Sequence, residues 1–267
     1  MSYIFKISLI FLGITFYACS EKKKSDKTNG EETRERPVAV DNGKIYREED
    51  RKMLWAGEDS SMHFDITGHI LKDYQFHYGI GREHFPALLQ PEYISAGEAD
   101  EIWPDSTRFL VVYSGEEAKA YSIKDLTRHE VVNDSINGTP IMAAYCILAD
   151  LGAIYDRNYG DHTLTFGVSG YTYYDKNVWN GMDGFILWDR ETESLWWPLI
   201  DQAVSGSLKG VKLRKYDETH WEDTTWQSIK ERFPYVQVLK SNQDFTRPEK
   251  WERVVDAEYI TTNFSKN

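Results

Sequence analysis

Cys146 and His129 carry the side chains with the most chemical reach in this chain. A thiolate and an imidazole are good ligands for copper(I) or zinc. They are also the parts of a thiol nucleophile and its base. Both lie on candidate strands that flank an Asn137-Gly138 pair, a strong hairpin signal. Counting back from that turn, His129 is expected several residues further out than a direct pairing with Cys146 requires. Free cysteine also fills space in cores, so packing stands beside the two chemical roles. Two ligands fall short of zinc, which takes four, or three and a water. Copper(I) manages with fewer soft ligands and is the metal to test first.

Three other groups invite a chemical reading. Gly167-Val168-Ser169-Gly170 approaches the Gly-x-Ser-x-Gly elbow of serine hydrolases, but Tyr171 holds the last glycine position and no helix start follows. The segment reads as a turn. Asp189-Arg190-Glu191-Thr192 reads as a turn whose Asp and Thr side chains bond nearby backbone; Arg190 could instead anchor an anion through its planar fork. Trp196 and Trp197 must point to opposite faces of a strand, so one is expected in the core and the other as an exposed platform for a sugar or peptide. Asp189, Arg190 and Trp196 thus join Cys146 and His129 as candidate ligand-binding residues. His63, His69, His77 and His84 lack the spacing of a metal motif and read as solvated or core-satisfied. No carboxylate pair argues for glycoside hydrolysis.

The elements that must position these residues are mostly strands. Phe109 to Tyr113 reads as a buried strand, turning at Ser114-Gly115-Glu116 into a partner over 118 to 123. His129 to Asn133 and Ile141 to Leu148 flank the Asn137-Gly138 turn. Gly152 to Arg157 and Thr163 to Val168 flank Tyr159-Gly160-Asp161, and Gly184 to Asp189 and Ser194 to Leu199 flank the turn at 190 to 192. Val211 to Tyr216 is a further strand. Ser95-Ala96-Gly97-Glu98 has capping-box spacing and opens a short helix; Thr224 to Phe233 is another, stopped by Pro234. Strand after strand at hairpin spacing predicts a mainly β (α+β) fold, an antiparallel β-rich single domain with a few short helices over residues 44 to 267. The aromatic load, 9 Trp, 17 Tyr and 12 Phe, suits pleated surfaces.

The first residues read as targeting. Lys6 precedes a short apolar run from Ile7 to Tyr17 that ends in Ala18-Cys19-Ser20. Such a run is too short to span a bilayer and fits a signal peptide over residues 1 to 18. A small residue directly before a cysteine predicts cleavage there and lipid on Cys19. Residues 19 to 43 mix lysines and arginines with acids and hold no large apolar residue before Val38, so they read as a disordered tether. The expected setting is the cell envelope, with the membrane reached through the lipid anchor; Ser20 is compatible with transport onward to an outer membrane. With Cys19 consumed, Cys146 is the one thiol left and no internal disulfide can form. The net charge of −12 and the lack of a basic stripe argue against nucleic acid.

Arg82-Glu83-His84-Phe85-Pro86-Ala87-Leu88, Ser95-Ala96-Gly97-Glu98-Ala99, His129-Glu130-Val131-Val132-Asn133-Asp134, Ala144-Tyr145-Cys146-Ile147-Leu148, Leu164 to Gly170 and Asp189 to Trp196 together resemble domain-of-unknown-function family 3179. They run in that family's order over roughly residues 74 to 234. The resemblance implies an exported bacterial domain and no particular reaction. Similar proteins usually carry Cys-Pro-Leu-Cys where this chain has Cys146-Ile147-Leu148-Ala149, so dithiol chemistry is excluded here. The expected function is a non-catalytic envelope module that binds a small ligand, a metal or an envelope protein. The alternative is a thiol-dependent or hydrolytic envelope enzyme.

Overall fold

A computed structural model describes residues 44–181, 183–243 and 256–265. The expected signal peptide, Cys19 and the expected tether up to residue 43 lie outside the described residues. The chain opens with a small antiparallel sheet of β1 (Ile45–Glu48), β2 (Arg51–Leu54) and β3 (Phe64–Asp65), followed by β4 (Phe76–Tyr78) and β5 (Tyr93–Ile94). Ser95 then caps α1 (Ala96–Ile102) in a complete capping box with Glu98. β6 (Arg108–Ser114) and β7 (Glu117–Ser122) form a hairpin, and Ser122 caps α2 (Ile123–His129). β8 (Val131–Ile136) and β9 (Thr139–Cys146) meet across Asn137 and Gly138, at φ +45° and +76°, the left-handed pair that a two-residue hairpin turn demands.

β10 (Leu151–Asp156) turns back along β9, and a two-stranded ladder of β11 (Asn158–Tyr159) and β12 (His162–Thr163) leads to β13 (Phe166–Tyr173). β14 (Gly184–Asp189), β15 (Leu195–Trp197) and β16 (Gln202–Ala203) follow, then β17 (Trp221–Thr225), α3 (Trp226–Arg232), β18 (Gln237–Leu239) and α4 (Ala257–Phe264). Two five-stranded sheets result, ordered β16-β15-β14-β13-β4 and β17-β6-β7-β18-β5, with the three-stranded sheet β10-β9-β8. All these pairings are antiparallel except β18 with β7. The antiparallel, β-rich architecture with short helices is the one expected. Among the described residues no helix is long and apolar enough to cross a membrane.

Alternation within β8 and β9 shows how the sheets pack. Val131, Met142 and Ala144 join one core with Phe166, Leu187 and Trp196, while Val132, Ile141 and Ala143 join another with Leu110, Tyr121 and Leu126. A strand covered on both faces needs apolar residues at every position, which is why β9 is a continuous apolar run. The β13-β14-β15 sheet is covered twice as well. Trp196 packs into the first core, and Trp188 and Trp197 into a third with Phe64 and Tyr173. Trp196 and Trp197 are 0% and 2% exposed, so neither is a surface platform. Truncating a buried ring of this size to Ala costs about 3–5 kcal/mol.

Several expected boundaries shift. His129 ends α2 instead of starting a strand, because Glu130 takes a left-handed φ of +57° and breaks the chain direction there. β9 stops at Cys146, where Ile147 and Leu148 enter a turn. The segments around Gly160 are not one hairpin: β10 pairs with β9 and β13 with β14 and β4, and only the short β11–β12 ladder carries the turn. Residues 211–216 make two isolated bridges in place of a strand. Gly167 to Gly170 is a bulged stretch of β13, with the register shifting between Val168 and Thr172, and not a turn.

Candidate functional site

Cys146 closes β9 and pairs with Leu151 across a four-residue turn in which Asp150 takes φ +50°. The turn folds its backbone inward. The amides of Ala149, Phe185 and Leu148 point at the Cys146 sulfur, and the amide of Ile147 points at the Glu130 carboxyl. The thiol itself reaches the Asp183 carbonyl at 3.8 Å. Its side chain belongs to the core that contains Tyr155, Phe166 and Phe185. Burial pushes the thiol pKa up, against those amides, and the neighbouring Glu130 pushes it the same way.

Glu130 reaches this position because it is the left-handed cap of α2. Its N–H donates to Leu126 O at 2.7 Å, and its carbonyl accepts from Tyr145 N at 2.9 Å. The carboxyl is buried with one amide for company, and burial raises its pKa to about 7. His129, one residue earlier, has Nδ1 at 2.8 Å from Pro86 O. A carbonyl only accepts, so Nδ1 carries the proton and Nε2 keeps its lone pair. Burial lowers the imidazole's pKa and favours that neutral form.

The register corrects one expectation. Ile136 faces Thr139 and Val131 faces Ala144, so the ladder, extended, sets position 129 opposite 146 and not several residues beyond it. The turn into α2 intervenes, and His129 and Cys146 end with different partners, Pro86 and Asp183. Among the described residues no group of three or more His, Cys, Asp or Glu is arranged to hold a metal.

A second imidazole bonds the side chain of Asp183, whose carbonyl the thiol reaches. The Asp183 carboxylate takes His77 Nδ1 at 2.6 Å and Thr172 Oγ1 at 3.0 Å. Sequence reasoning gave His77 no role, and a separation of 106 residues leaves no spacing signal to find it by. Of the other scattered histidines, His63 bonds Tyr46 and Gly57 O, His69 bonds Asp73, and His84 is exposed.

Asp189, Arg190 and Trp196 sit together in the interior. Asp189 accepts from Trp196 Nε1 at 2.8 Å and from Thr192 N and Oγ1 at 2.7 Å each, closing the turn as expected. Burial pushes its carboxyl up to about 7 against these donors. Arg190 donates Nε to Glu83 Oε1 at 3.0 Å and Nη2 to Glu83 Oε2, a bidentate pair with both partners buried. Gly167 makes room for it, since a Cβ there would stand 2.1 Å from Glu83 Oε1. Next to this pair, Arg82 lies over the Trp188 ring at 3.6 Å and donates to Glu193 at 3.0 Å. Ser169 is fully buried and donates to Ile186 O at 2.7 Å. No nucleophile elbow is formed.

Residues 82–258 match the family described as protein of unknown function (DUF3179). The chain belongs to that family. No curated protein and no solved structure matches it significantly. The geometry shows what the DUF3179 motif residues do for one another. Arg82 and Glu83 of the first motif pair with Glu193 and Arg190 of the last. Asn133 of the third binds Phe166 of the fifth twice at 2.8 Å, through Nδ2 to the carbonyl and Oδ1 to the amide. Much of the DUF3179 signature is thus internal bonding between distant segments. Glu83 and Glu130 stood inside recognised motifs, yet residue type alone assigned them nothing.

Proposed function

We propose that this DUF3179 domain is a non-catalytic binding module, carried at a bacterial cell envelope by lipid on Cys19. One observation supports the non-catalytic part: the Cys146 thiol is 3% exposed and burial holds it protonated. A thiol enzyme needs the reverse, an open sulfur with a depressed pKa. The solvent-facing part of the region is the turn above the thiol. Ile147 and Leu148 in the turn and Leu151 at the start of β10 are all exposed, and grouped exposed aliphatics mark contact surfaces. The partner is accordingly an envelope protein with an apolar patch of its own.

Alkylation of the full chain by iodoacetamide under reducing conditions, read by intact mass, tests the reading. Cys146 should be modified only after denaturation. Fast, stoichiometric labelling of the folded chain would restore the thiol enzyme. Elemental analysis of the same preparation beside Cys146→Ala covers the metal form of binding. Stoichiometric copper or zinc lost in the variant would put the ion on Cys146, and His129→Ala would then test His129 Nε2 as its second ligand; metal in neither removes that form. Cys19→Ser should leave the membrane fraction, and its retention there would sink the lipid anchor.

A further inference from the structure

The chain before the family match holds a feature that no role above uses. Lys44 Nζ stands 3.6 Å from the centre of the Trp55 ring and 4.2 Å from that of Tyr78. The two rings are 5.3 Å apart and inclined at 59°, so they wall the ammonium on two sides. Among the described residues no carboxylate forms an ion pair with Lys44, which leaves the ring faces as its electrostatic partners. Ring faces are negative at the centre and hold cations without hydrogen bonds.

The walls are built in advance. Trp55 N donates to Lys44 O at 2.6 Å, and Trp55 O accepts from the Tyr171 hydroxyl at 2.6 Å. Tyr171 pairs with Tyr78 in the β13–β4 ladder and packs edge-on against its ring at 5.4 Å. His63 flanks the Trp55 ring at 5.9 Å and is itself tied to Gly57 O and Tyr46. Trp55, Tyr78 and Lys44 are each half-buried, so the box opens to solvent. Glu58 is close enough to raise the Tyr78 hydroxyl, after burial, and adds negative potential at the same place. Rigid walls of this kind cut the ordering cost of binding.

We propose that Trp55 and Tyr78 form an aromatic cage for methylated ammonium groups, and that Lys44 occupies it as a built-in competitor. A quaternary ammonium has no N–H to satisfy, so it gains more from ring faces than a primary one, which gives up water for them. The chemistry fits a free choline-like cation or the headgroup of a choline lipid. The site is separate from the 146–151 turn and does not rest on the reading given there.

The test uses the full chain in a maltoside detergent, with binding of tetramethylammonium followed by saturation-transfer NMR on the ligand. Lys44→Ala should bind at least tenfold more tightly than wild type, because an intramolecular competitor acts at high effective concentration. Adding Trp55→Ala to that variant should abolish saturable binding; Tyr78→Leu serves if near-ultraviolet circular dichroism shows that Trp55→Ala does not fold. Free choline and monomeric short-chain phosphocholine are then compared. Choline alone assigns a free cation, and phosphocholine bound as well or better assigns a lipid headgroup. No saturable binding by Lys44→Ala overturns the cage. So does binding that survives loss of a ring in a folded chain.

Discussion

Glu83 and Glu130 are both buried, both sit at left-handed φ, +52° and +57°, and both follow a basic residue in a family motif. Their surroundings differ. Glu83 meets the Arg190 guanidinium in a two-point pair, with Gly167 left bare to admit it. Glu130 meets one backbone amide, Ile147, beside the Cys146 sulfur, and burial lifts its pKa to about 7. The same residue type therefore serves two ends. A charge matched in a fixed frame locks distant segments. A carboxyl with one amide and no cation among the described residues is poised to exchange a proton near neutrality. That contrast separates the interior bracing of the domain from a region where buried titratable groups lie under an exposed turn.

Removing Arg190 should break the comparison most severely. Arg190→Ala takes away the guanidinium that Glu83 faces, and breaking a buried pair by deleting one partner costs about 3–5 kcal/mol. Denaturant unfolding at neutral pH would read it. A loss under about 1 kcal/mol would mean that Glu83 relaxes to water and that the pair is no brace.

A smaller change presses on the same pair. Gly167→Ala places a Cβ where the Glu83 carboxylate stands, and overpacking of a fixed core costs about 1–3 kcal/mol. Combined with Arg190→Ala, its cost should shrink, because Glu83 would then be free to move. Strict additivity of the two changes would show that Gly167 matters for some other reason.

Glu130 sharpens the other side of the contrast through pH. Its folded pKa of about 7 lies above the ordinary 4.5. Below the ordinary value the carboxyl is neutral in both states and the folded chain keeps its full advantage. As pH rises towards 7 the unfolded chain releases a proton that the folded chain retains, so stability falls by about 1.4 kcal/mol per pH unit over that window. Glu130→Gln should lack this contribution, and its stability relative to wild type should climb from pH 4.5 to 7 and then level. Asp189 titrates in the same window, but it is present in both chains and cancels in the difference. A difference that does not vary with pH would show that Glu130 is solvated or matched.

Local signals were readable because they act over a few residues. The capping box at Ser95 and Glu98, the Asn137-Gly138 turn, the β6–β7 hairpin and the Asp189–Thr192 turn each stand where the sequence places them. So does the family, since its motifs are ordered strings. Tertiary structure decided the rest. Alternation puts Trp196 and Trp197 on opposite faces of β15, but it carries no information on whether another layer covers the second face, and here one does. The ladder count alone sets His129 opposite Cys146; the left-handed turn at Glu130 moves it onto a helix and brings in the Glu130 carboxyl instead. Glu83 finds Arg190 across 107 residues, and His77 finds Asp183 across 106. Residue type states which groups need partners; packing of the sheets chooses the partner, because burial removes water as the default one.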